Sequence, residues 1–285
     1  MRPTDVIDLI VKYALREDVG HGDITSAGVL GPARHIRADI EAKENGILCG
    51  IEVAERVFRF VDPNLRFLPV AKDGESVEKG REIAYIEGNA ASIMVGERTA
   101  LNFMAHLSGI ATLTRQYADK VKGTRAQILD TRKTTPNLRI LEKYAVLIGG
   151  GANHRMGLYD QVLIKDNHLR VLKDTPIPVI VANAKKSAQK SVVVGLEVKN
   201  LKEFAEALKS KADYVLLDNM TPATVKEAVV MRQKAGSKIW LEVSGGVNLD
   251  TVRSYAETGI ERISIGALTH SSVWLDLSLN IVSDK

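Results

Sequence analysis

Six short apolar runs in the second half of the chain constrain its fold more than any other feature. They are rich in β-branched residues and span residues 127–129, 161–164, 192–198, 214–217, 239–243 and 262–265. Segments with helical periodicity follow them, as at residues 201–208 and 221–232. Continuous apolar runs are typical of buried parallel strands, and strand–helix repetition implies a parallel sheet. We therefore predict an incomplete (β/α) barrel of six or seven parallel strands, which fits better than an open sheet.

The first hundred residues have a different pattern. Alternating apolar residues from Ile36 to Ala42 predict a strand with one buried face. A helix over residues 51–61, strands over 65–70 and 82–86, and a long helix from Ser92 follow. Strands grouped with helices without regular alternation indicate an α+β domain. The predicted organisation is an α+β sandwich over residues 1–110 and a barrel-like catalytic domain over 111–269. Whether residues 270–285 pack back on the first domain stays open.

Composition excludes several classes of function. Among 285 residues the net charge is only +4, and five scattered Phe provide no stacking platform, so nucleic-acid binding is not expected. The single Cys49 fits a reducing compartment. Asp5, Asp8 and Lys12 interrupt the first helical segment, which therefore does not resemble a signal peptide. No apolar run is long enough to span a bilayer. The expectation is a cytoplasmic protein without membrane contact.

The chemistry of a barrel belongs at the carboxyl ends of its strands. Read in chain order, these ends carry Arg132 and Lys133, Lys165, Glu197, Asp218, Ser244 with Gly245 and Gly246, and Gly266. Cations in these positions suit a pocket for a small, strongly negative ligand. They do not alternate with acids at helical spacing, as a solvated helix face would.

Two glycine-containing turns are candidates for a phosphate site. The sequence SGGV follows one of the last strands, and GALTHS follows the other. We predict that both lead into helices, whose first N–H groups bind phosphate. Either glycine turn alone would be ordinary. Two such turns in the final loops favour a phosphate site that includes Gly266 and Ala267.

The strand-end acids and the two histidines each allow two interpretations. Glu197 and Asp218 could cap the following helices, or they could hold ribose hydroxyls and a divalent cation. Magnesium prefers oxygen ligands and commonly joins phosphates to one or two carboxylates. His154 and His168 lie on different segments and lack a third ligand for zinc. Both could bond to backbone, and for His154 we favour substrate contact.

A series of segments resembles one known family. TRKTTPNLR, GGGANHRMGLYD and LIKDNH resemble the signature of quinolinate phosphoribosyltransferases, decarboxylating enzymes that make nicotinate mononucleotide. EDVGHGDITS, ERTALNFMAHLSGIAT, LDNM, LEVSGGV and ISIGALTHS also follow that family's order, so the resemblance covers nearly the whole chain. Val243 is one departure, because a smaller residue is expected before SGG. The resemblance implies an α/β sandwich followed by an incomplete barrel.

The resemblance also implies a reaction and a set of residues. The phosphoribosyl group of phosphoribosyl pyrophosphate would pass to quinolinate with decarboxylation, giving nicotinate mononucleotide, pyrophosphate and carbon dioxide for NAD biosynthesis. Catalytic roles fall to Lys133, Lys165, Glu197 and Asp218. The substrate-binding set adds Arg98, Thr131, Arg132, His154, Arg155, Ser244, Gly245, Gly246, Gly266 and Ala267. Glu197 and Asp218 would hold Mg²⁺ with pyrophosphate and water.

The implied protein is a homodimer in which Arg98 reaches the partner subunit's active site. Together with Arg132, His154, Arg155 and Lys165 it would surround quinolinate. Higher assembly stays open, as does whether Lys133 contacts pyrophosphate or the acceptor. Taken alone, Arg98 could equally pair with Glu97 or lie along an apolar face. Two rival functions remain: a related enzyme with another acceptor, and a non-catalytic barrel that binds a phosphate ligand.

Overall fold

The computed structural model describes residues 3–30 and 34–284. Contacts group them into two compact units. Unit 1 draws on residues 1–115, 134–150 and 268–285, and unit 2 comprises residues 116–133 and 151–267. Residues 134–150 lie inside the predicted barrel-like domain, but their contacts place them in unit 1.

The elements up to residue 120 match the predicted pattern. They are α1 (Pro3–Val19), α2 (Ile24–Val29), β1 (His35–Ala42), β2 (Gly46–Ile47), α3 (Ile51–Val61), β3 (Arg66–Pro69), β4 (Ser76–Val77), β5 (Glu82–Asn89) and α4 (Ala90–Lys120). Along β1 the side chains of Ile36, Ala38, Ile40 and Ala42 are buried, because alternate residues of a strand share one face.

From residue 127 the elements alternate as predicted. They are β6 (Gln127–Leu129), α5 (Arg139–Ile148), β7 (Val162–Ile164), α6 (Asp166–Val171), α7 (Ile177–Ser187), β8 (Val194–Val198), α8 (Leu201–Leu208), β9 (Tyr214–Asp218), α9 (Pro222–Lys234), β10 (Trp240–Ser244), α10 (Val252–Ala256), β11 (Arg262–Ser264), α11 (Ala267–His270) and β12 (Leu277–Asp284). None of the helices in the described residues has the length and apolar character to cross a membrane.

Unit 1 is built on an antiparallel four-stranded sheet. The strand order is β12-β1-β5-β3, so the last strand pairs with the first, with Ile40 opposite Leu279. β2 and β4 form a separate two-stranded sheet. The amphipathic α3 buries Val53, Val57 and Phe58, the spacing at which residues share a helix face.

Unit 2 is built on a parallel sheet of six strands in the order β6-β11-β10-β9-β8-β7. β6 and β7 are its edges, so the described strands form a barrel-like sheet that is not closed. Its apolar residues are almost fully buried, among them Val194, Leu196, Val215 and Leu217. The predicted fold class is therefore confirmed. Parallel pairing brings the carboxyl ends of all six strands to the same edge.

In unit 1 a glycine in the long helix lets another segment approach closely. The backbone N–H of Leu275 donates to the carbonyl oxygen of Ala105 at 3.0 Å. A Cβ atom on Gly109 would lie 2.1 Å from the carbonyl oxygen of Val273. Because that neighbour is backbone, it cannot move aside as the end of a side chain could. Gly109 is therefore required for this packing.

We expect Gly109→Ala to destabilise the protein, although alanine is the better helix former. Overpacking of this kind costs about 1–3 kcal/mol. Gly28→Ala is the matched control, since Gly28 also lies in a helix but has open space around its Cβ position. The control should be neutral or more stable by about 0.5–1 kcal/mol. Chemical denaturation measures both, and equal stabilities for the two variants would contradict the packing argument.

Candidate active site

Two acids lie on neighbouring strands at the carboxyl edge of the unit 2 sheet. Glu197 is on β8, and Asp218 is the last residue of β9. Burial, followed by the negative charge of Asp218, raises the pKa of Glu197 above its ordinary value. Lys165 partly opposes this rise, and the Glu197 carboxylate accepts a hydrogen bond from the backbone N–H of Asp166. The acidic pair therefore lies beside one of the predicted cations.

Neither acid caps the helix that follows it. The side chain of Asn200 caps α8 by accepting the N–H of Glu203 at 2.9 Å. Thr221 caps α9 by accepting the N–H of Thr224 at 3.3 Å. The helix-cap interpretation of Glu197 and Asp218 is therefore wrong, and their carboxylates remain available for other interactions at the strand ends.

Lys165 stands where β7 passes into α6. Its backbone N–H donates to Nδ1 of His168 at 2.9 Å, so His168 holds the start of this short helix. Lys199, which sequence reasoning did not single out, places its Nζ 2.6 Å from the Asp166 carboxylate. Its hydrogen bond is the largest cause that lowers the pKa of Asp166. Lys165 thus places positive charge near the acidic pair, and Lys199 pairs with the neighbouring Asp166.

Arg132 and Arg155 come together at the end of β6. Residues Leu129 and Ala152 form a parallel bridge, and the buried Asp130 carboxylate accepts the N–H of His154 at 2.9 Å. Arg155 is only 6% exposed and donates to the carbonyl oxygen of Gln161 at 3.2 Å. Burial, and then the charge of Arg132, lowers the pKa of Arg155. Two guanidinium groups of the same sign are therefore close in a partly desolvated place.

The segment that follows Arg132 is more open. Lys133 is exposed, and its backbone N–H donates to Oγ1 of Thr131 at 3.0 Å. This turn keeps Lys133 at the same end of β6 as Arg132. The short turn explains how the sequence TRK presents two cations from one strand end.

Both ring nitrogens of His154 face protein groups. Nδ1 accepts the backbone N–H of Arg155 at 2.7 Å, and Nε2 lies 3.2 Å from the Glu242 carboxylate. The ring is buried. The expected substrate contact of His154 stays a prediction. In the structure the His154 ring accepts the backbone N–H of Arg155.

The glycine-rich turn after β10 is held by Asn219. Gly245 and Gly246 have φ angles of +94° and +66°, which favour glycine. A Cβ atom on Gly245 would lie 2.1 Å from Oδ1 of Asn219. The Asn219 backbone N–H donates to the Ser244 carbonyl oxygen at 2.8 Å, and its amide donates to Asp218 at 3.0 Å. One asparagine thus joins the acidic pair to the candidate phosphate turn.

The two turns of the predicted phosphate site meet their helices differently. SGGV is followed by a turn that begins at Asn248, and α10 begins at Val252. In contrast, α11 begins at Ala267, immediately after Gly266. The first turn can still present the N–H groups of its glycines, since successive backbone N–H groups form anion-binding concavities without a helix.

Arg98 lies on α4 in unit 1. Its guanidinium is 3.8 Å from the Glu97 carboxylate, and its side chain is 63% exposed. An exposed ion pair of this length contributes little stability. The Arg98 side chain is therefore accessible to a ligand or to another chain.

The structure also contains a charged cluster that sequence reasoning missed. Glu242 and Arg262 are buried on adjacent strands β10 and β11, with Tyr214 beside them. A charge at alternate positions of a strand ordinarily indicates a solvated face. The cluster could have been predicted from two opposite charges, Glu242 and Arg262, on strands whose other residues indicate burial.

These features define a class before any comparison. A barrel-like parallel sheet gathers an acidic pair, several cations and a glycine-rich turn at its carboxyl edge, the edge where such folds place their chemistry. The arrangement is that of an enzyme that handles a phosphorylated, strongly anionic small molecule.

The chain belongs to the quinolinate phosphoribosyltransferase family. The model of the family's C-terminal domain matches residues 110–280, and that of its N-terminal domain matches residues 23–108. The resemblance inferred from the sequence is therefore confirmed. Members of this family are phosphoribosyltransferases, so the class of enzyme is confirmed as well.

Similar proteins agree with this assignment. A probable nicotinate-nucleotide pyrophosphorylase [carboxylating] from Synechocystis sp. is 40% identical over 280 residues, covering 98% of this chain and 94% of the relative. The nicotinate-nucleotide pyrophosphorylase from Francisella tularensis has a solved structure with a TM-score of 0.92 and 38% identity, covering 99% of this chain and 98% of that one. Human nicotinic acid phosphoribosyltransferase, at 12% identity and a TM-score of 0.64, shares the fold alone.

The raised pKa of Glu197 predicts a pH-dependent cost to folding. A carboxyl whose pKa is higher in the folded chain stays protonated to a higher pH there than in the unfolded chain. The free energy of unfolding therefore falls as pH rises from 4.5, the ordinary pKa of the group, towards its raised pKa in the folded chain. Glu197→Gln should therefore be more stable than the wild type at pH 7, with a difference that shrinks towards about pH 4. Urea unfolding at several pH values tests this.

Glu227→Gln, on the exposed face of α9, controls for simple loss of charge. It should change stability little at any pH, because substitutions at exposed positions away from ion pairs and caps have small effects on stability. A constant difference between Glu197→Gln and the wild type across pH would contradict the prediction. So would a Glu197→Gln variant that is less stable than the wild type at neutral pH.

Proposed function

We propose that this chain transfers the phosphoribosyl group of phosphoribosyl pyrophosphate to quinolinate and decarboxylates the product to nicotinate mononucleotide. The other products are pyrophosphate and carbon dioxide, in the synthesis of NAD. The observation that carries the proposal is the closeness of Arg132 and Arg155, where burial and then the charge of Arg132 lower the pKa of Arg155. Two guanidinium groups match a planar dianion such as quinolinate, since each can bind a carboxylate through paired hydrogen bonds.

The remaining strand ends suit the phosphoribosyl donor. Ser244, Gly245 and Gly246 would receive the 5′-phosphate together with Gly266 and Ala267, because backbone N–H groups in such turns bind phosphate. Thr131 belongs to the same substrate-binding edge. Lys133 and Lys165 would serve the pyrophosphate or the acceptor. Glu197 and Asp218 would hold the ribose hydroxyls, supported by their position on adjacent strands.

The acidic pair also fits Mg²⁺. Burial and then the charge of Asp218 raise the pKa of Glu197, and a divalent cation between the two acids would remove their repulsion. No group of three His, Cys, Asp or Glu residues suited to a metal occurs among residues 3–30 and 34–284. Pyrophosphate and water oxygens would therefore complete the coordination, as is usual for Mg²⁺ with phosphorylated substrates. When bound, Mg²⁺ neutralises charge on the leaving pyrophosphate.

The chemistry then needs positioning and electrostatics rather than a nucleophilic side chain. The negative charges of Glu197 and Asp218 would stabilise the cationic character that develops at the ribose as pyrophosphate leaves. Arg132, Arg155 and Lys165, with His154, would hold quinolinate so that its ring nitrogen faces that carbon. After the nitrogen bonds to the ribose, its positive charge stabilises the carbanion left when the adjacent carboxylate departs as carbon dioxide, and that carbon then takes up a proton from water.

We further propose a homodimer in which Arg98 of one subunit completes the active site of the other. The support is the exposure of Arg98 on α4 and its long, weak pairing with Glu97. A third guanidinium would strengthen binding of the acceptor's carboxylates. Assembly beyond the dimer is a separate question for solution scattering.

The direct test is turnover of quinolinate and phosphoribosyl pyrophosphate with Mg²⁺. Equal amounts of pyrophosphate and carbon dioxide are expected, with no carbon dioxide when phosphoribosyl pyrophosphate is omitted. Nicotinate is the matched analogue, because it lacks only the carboxylate beside the ring nitrogen. A site that leaves a buried cation unpaired rejects such an analogue by roughly 10⁴-fold in kcat/KM. Comparable kcat/KM values for the two acids would mean that the cations serve pyrophosphate instead, and binding without turnover would favour a non-catalytic barrel.

Mixed dimers test the shared site. Arg98→Ala and Arg155→Ala homodimers should each have little activity, because each lacks a guanidinium in both sites. After subunit exchange, hybrid dimers contain one intact site, and part of the activity should return. Mass spectrometry of differently tagged chains verifies the exchange. Absence of recovery in verified hybrids would show that Arg98 acts within its own chain or not at all.

A further inference from the structure

Glu242 is a fully buried acid inside the unit 2 sheet. It is 0% exposed on β10, opposite Arg262 on β11. Nε of Arg262 lies 2.9 Å from one carboxylate oxygen of Glu242, but the two atoms are not aligned for a hydrogen bond, so the contact is an ion pair. Buried ion pairs are often no more stabilising than apolar residues of similar size. Stability alone therefore gives no strong reason for charges in this place.

The other oxygen of Glu242 faces His154. Nε2 of His154 lies 3.2 Å from it, and the hydroxyl of Ser264 donates to the same oxygen. Burial would raise the pKa of Glu242, but His154, Arg262 and the Ser264 hydroxyl together outweigh burial and lower it. Glu242 is therefore a carboxylate at neutral pH, and it can accept a hydrogen bond from a ring N–H of His154.

The hydrogen bond at Nδ1 indicates which nitrogen of His154 carries its proton. Nδ1 accepts the backbone N–H of Arg155 at 2.7 Å, so its lone pair is occupied and the proton belongs on Nε2, facing Glu242. A carboxylate behind an imidazole fixes both the tautomer and the orientation of the ring. The Tyr214 ring packs edge-on against it, with 5.8 Å between centroids.

The surrounding strand is shaped to admit this cluster. A Cβ atom on Gly195 would lie 2.1 Å from the Tyr214 ring, so β8 makes room for the tyrosine only with glycine there. The Arg262 guanidinium lies over the Tyr214 ring, 4.6 Å from its centroid. Tyr214, Arg262 and Glu242 thus pack together beside His154.

Arg155 is the residue through which the cluster reaches the candidate site. Arg155 is buried beside Arg132, and the repulsion between them acts to separate the two guanidinium groups. The backbone of the preceding residue is held by Asp130, which accepts the N–H of His154 at 2.9 Å. The N–H of Arg155 itself is held by the His154 ring. Both restraints oppose displacement of Arg155.

We propose that Glu242 is a positioning residue that orients the His154 imidazole and thereby fixes the backbone of Arg155 in the acceptor-binding position. Glu242 does not touch the substrate. The kinetic consequence rests on the proposed function, whereas the structural consequence at Arg155 does not. Through His154 and Arg155 the cluster acts on the acceptor side of the site.

The first arm of the test measures hydrogen exchange of the Arg155 amide in the intact protein. Glu242→Gln and His154→Gln should both speed exchange by about tenfold or more, because both release or weaken the acceptor at Nδ1. Since Glu242→Gln leaves the Arg262 charge unpaired and can prevent folding, the double variant Glu242→Gln with Arg262→Met removes both charges at similar volume. This folded double variant should show the same faster exchange.

The matched control is Glu261→Gln. Glu261 also pairs with a buried arginine, with 2.8 Å between its carboxylate and Nη1 of Arg232, but it precedes β11 at the amino edge of the sheet, where its carboxylate faces Arg232 and the backbone N–H of Leu241. Loss of this ion pair should lower stability without changing Arg155 exchange. The control separates a general loss of stability from a change transmitted to Arg155.

The second arm compares Michaelis constants in the same variants. Loss of Glu242 should raise KM for quinolinate by about tenfold or more, since small misplacements of a binding group have large effects. KM for phosphoribosyl pyrophosphate should change by less than about twofold, because the glycine turn after β10 is held by Asn219, whereas the Glu242 side chain faces His154. Glu261→Gln should change neither constant.

Normal Arg155 exchange in the folded double variant would overturn the proposal, as would an equal rise in both KM values. If the wild type does not turn over quinolinate, the proposed function fails, and the exchange arm alone decides the role of Glu242. Faster exchange at Arg155 would still support positioning in that case.

Discussion

The register of six short parallel strands is the constraint on which the site in unit 2 depends. Ser244 lies opposite Asp218 on one side and Ser264 on the other, and Ser264 lies opposite Leu129. Four strands therefore end at the same level, and the register brings the residues that follow them to one edge of the sheet. Apolar side chains drive this pairing, because nearly every residue between the ends is buried. A shift of register would move the acids and the glycine turn apart.

At that edge, charges of like sign are held together on both halves of the site. Beyond the effect of burial, Arg132 lowers the pKa of Arg155, and Asp218 raises the pKa of Glu197. Each pair of like charges destabilises the protein when no ligand is bound. An anion bound at the two arginines, or a cation bound at the two acids, would remove this repulsion. Such preorganised charge is more effective for catalysis than charge that must rearrange during the reaction. The electrostatic strain thus favours binding of an anion at one half and a cation at the other.

Sequence patterns predicted well the elements whose faces are uniformly buried. Helix α3 and strand β6 have the predicted bounds, since amphipathic periodicity and a continuous apolar run are strong local signals. The acidic pair was found from its strand-end positions, but excluding a helix-cap role for it required the structure. Asn200 and Thr221, the actual caps, carry recognisable local patterns and could have been identified. Grouping of residues 134–150 with unit 1 depends on contacts that no local pattern encodes.

The buried cluster shows why the rest of the site could not be predicted. Glu242 and Arg262 each stand two residues before a strand-end serine, in LEVS and RIS, and the parallel pairing sets them directly opposite. Either residue alone indicates a solvated strand face, because a single charge is costly to bury. Only the topology, which makes β10 and β11 neighbours inside a parallel sheet, turns two unfavourable residues into a compensated pair. Opposite charges at equivalent positions of consecutive parallel strands are therefore a signal to seek in sequence. A residue in contact with such a pair, here His154, is then a candidate for a place next to the functional site.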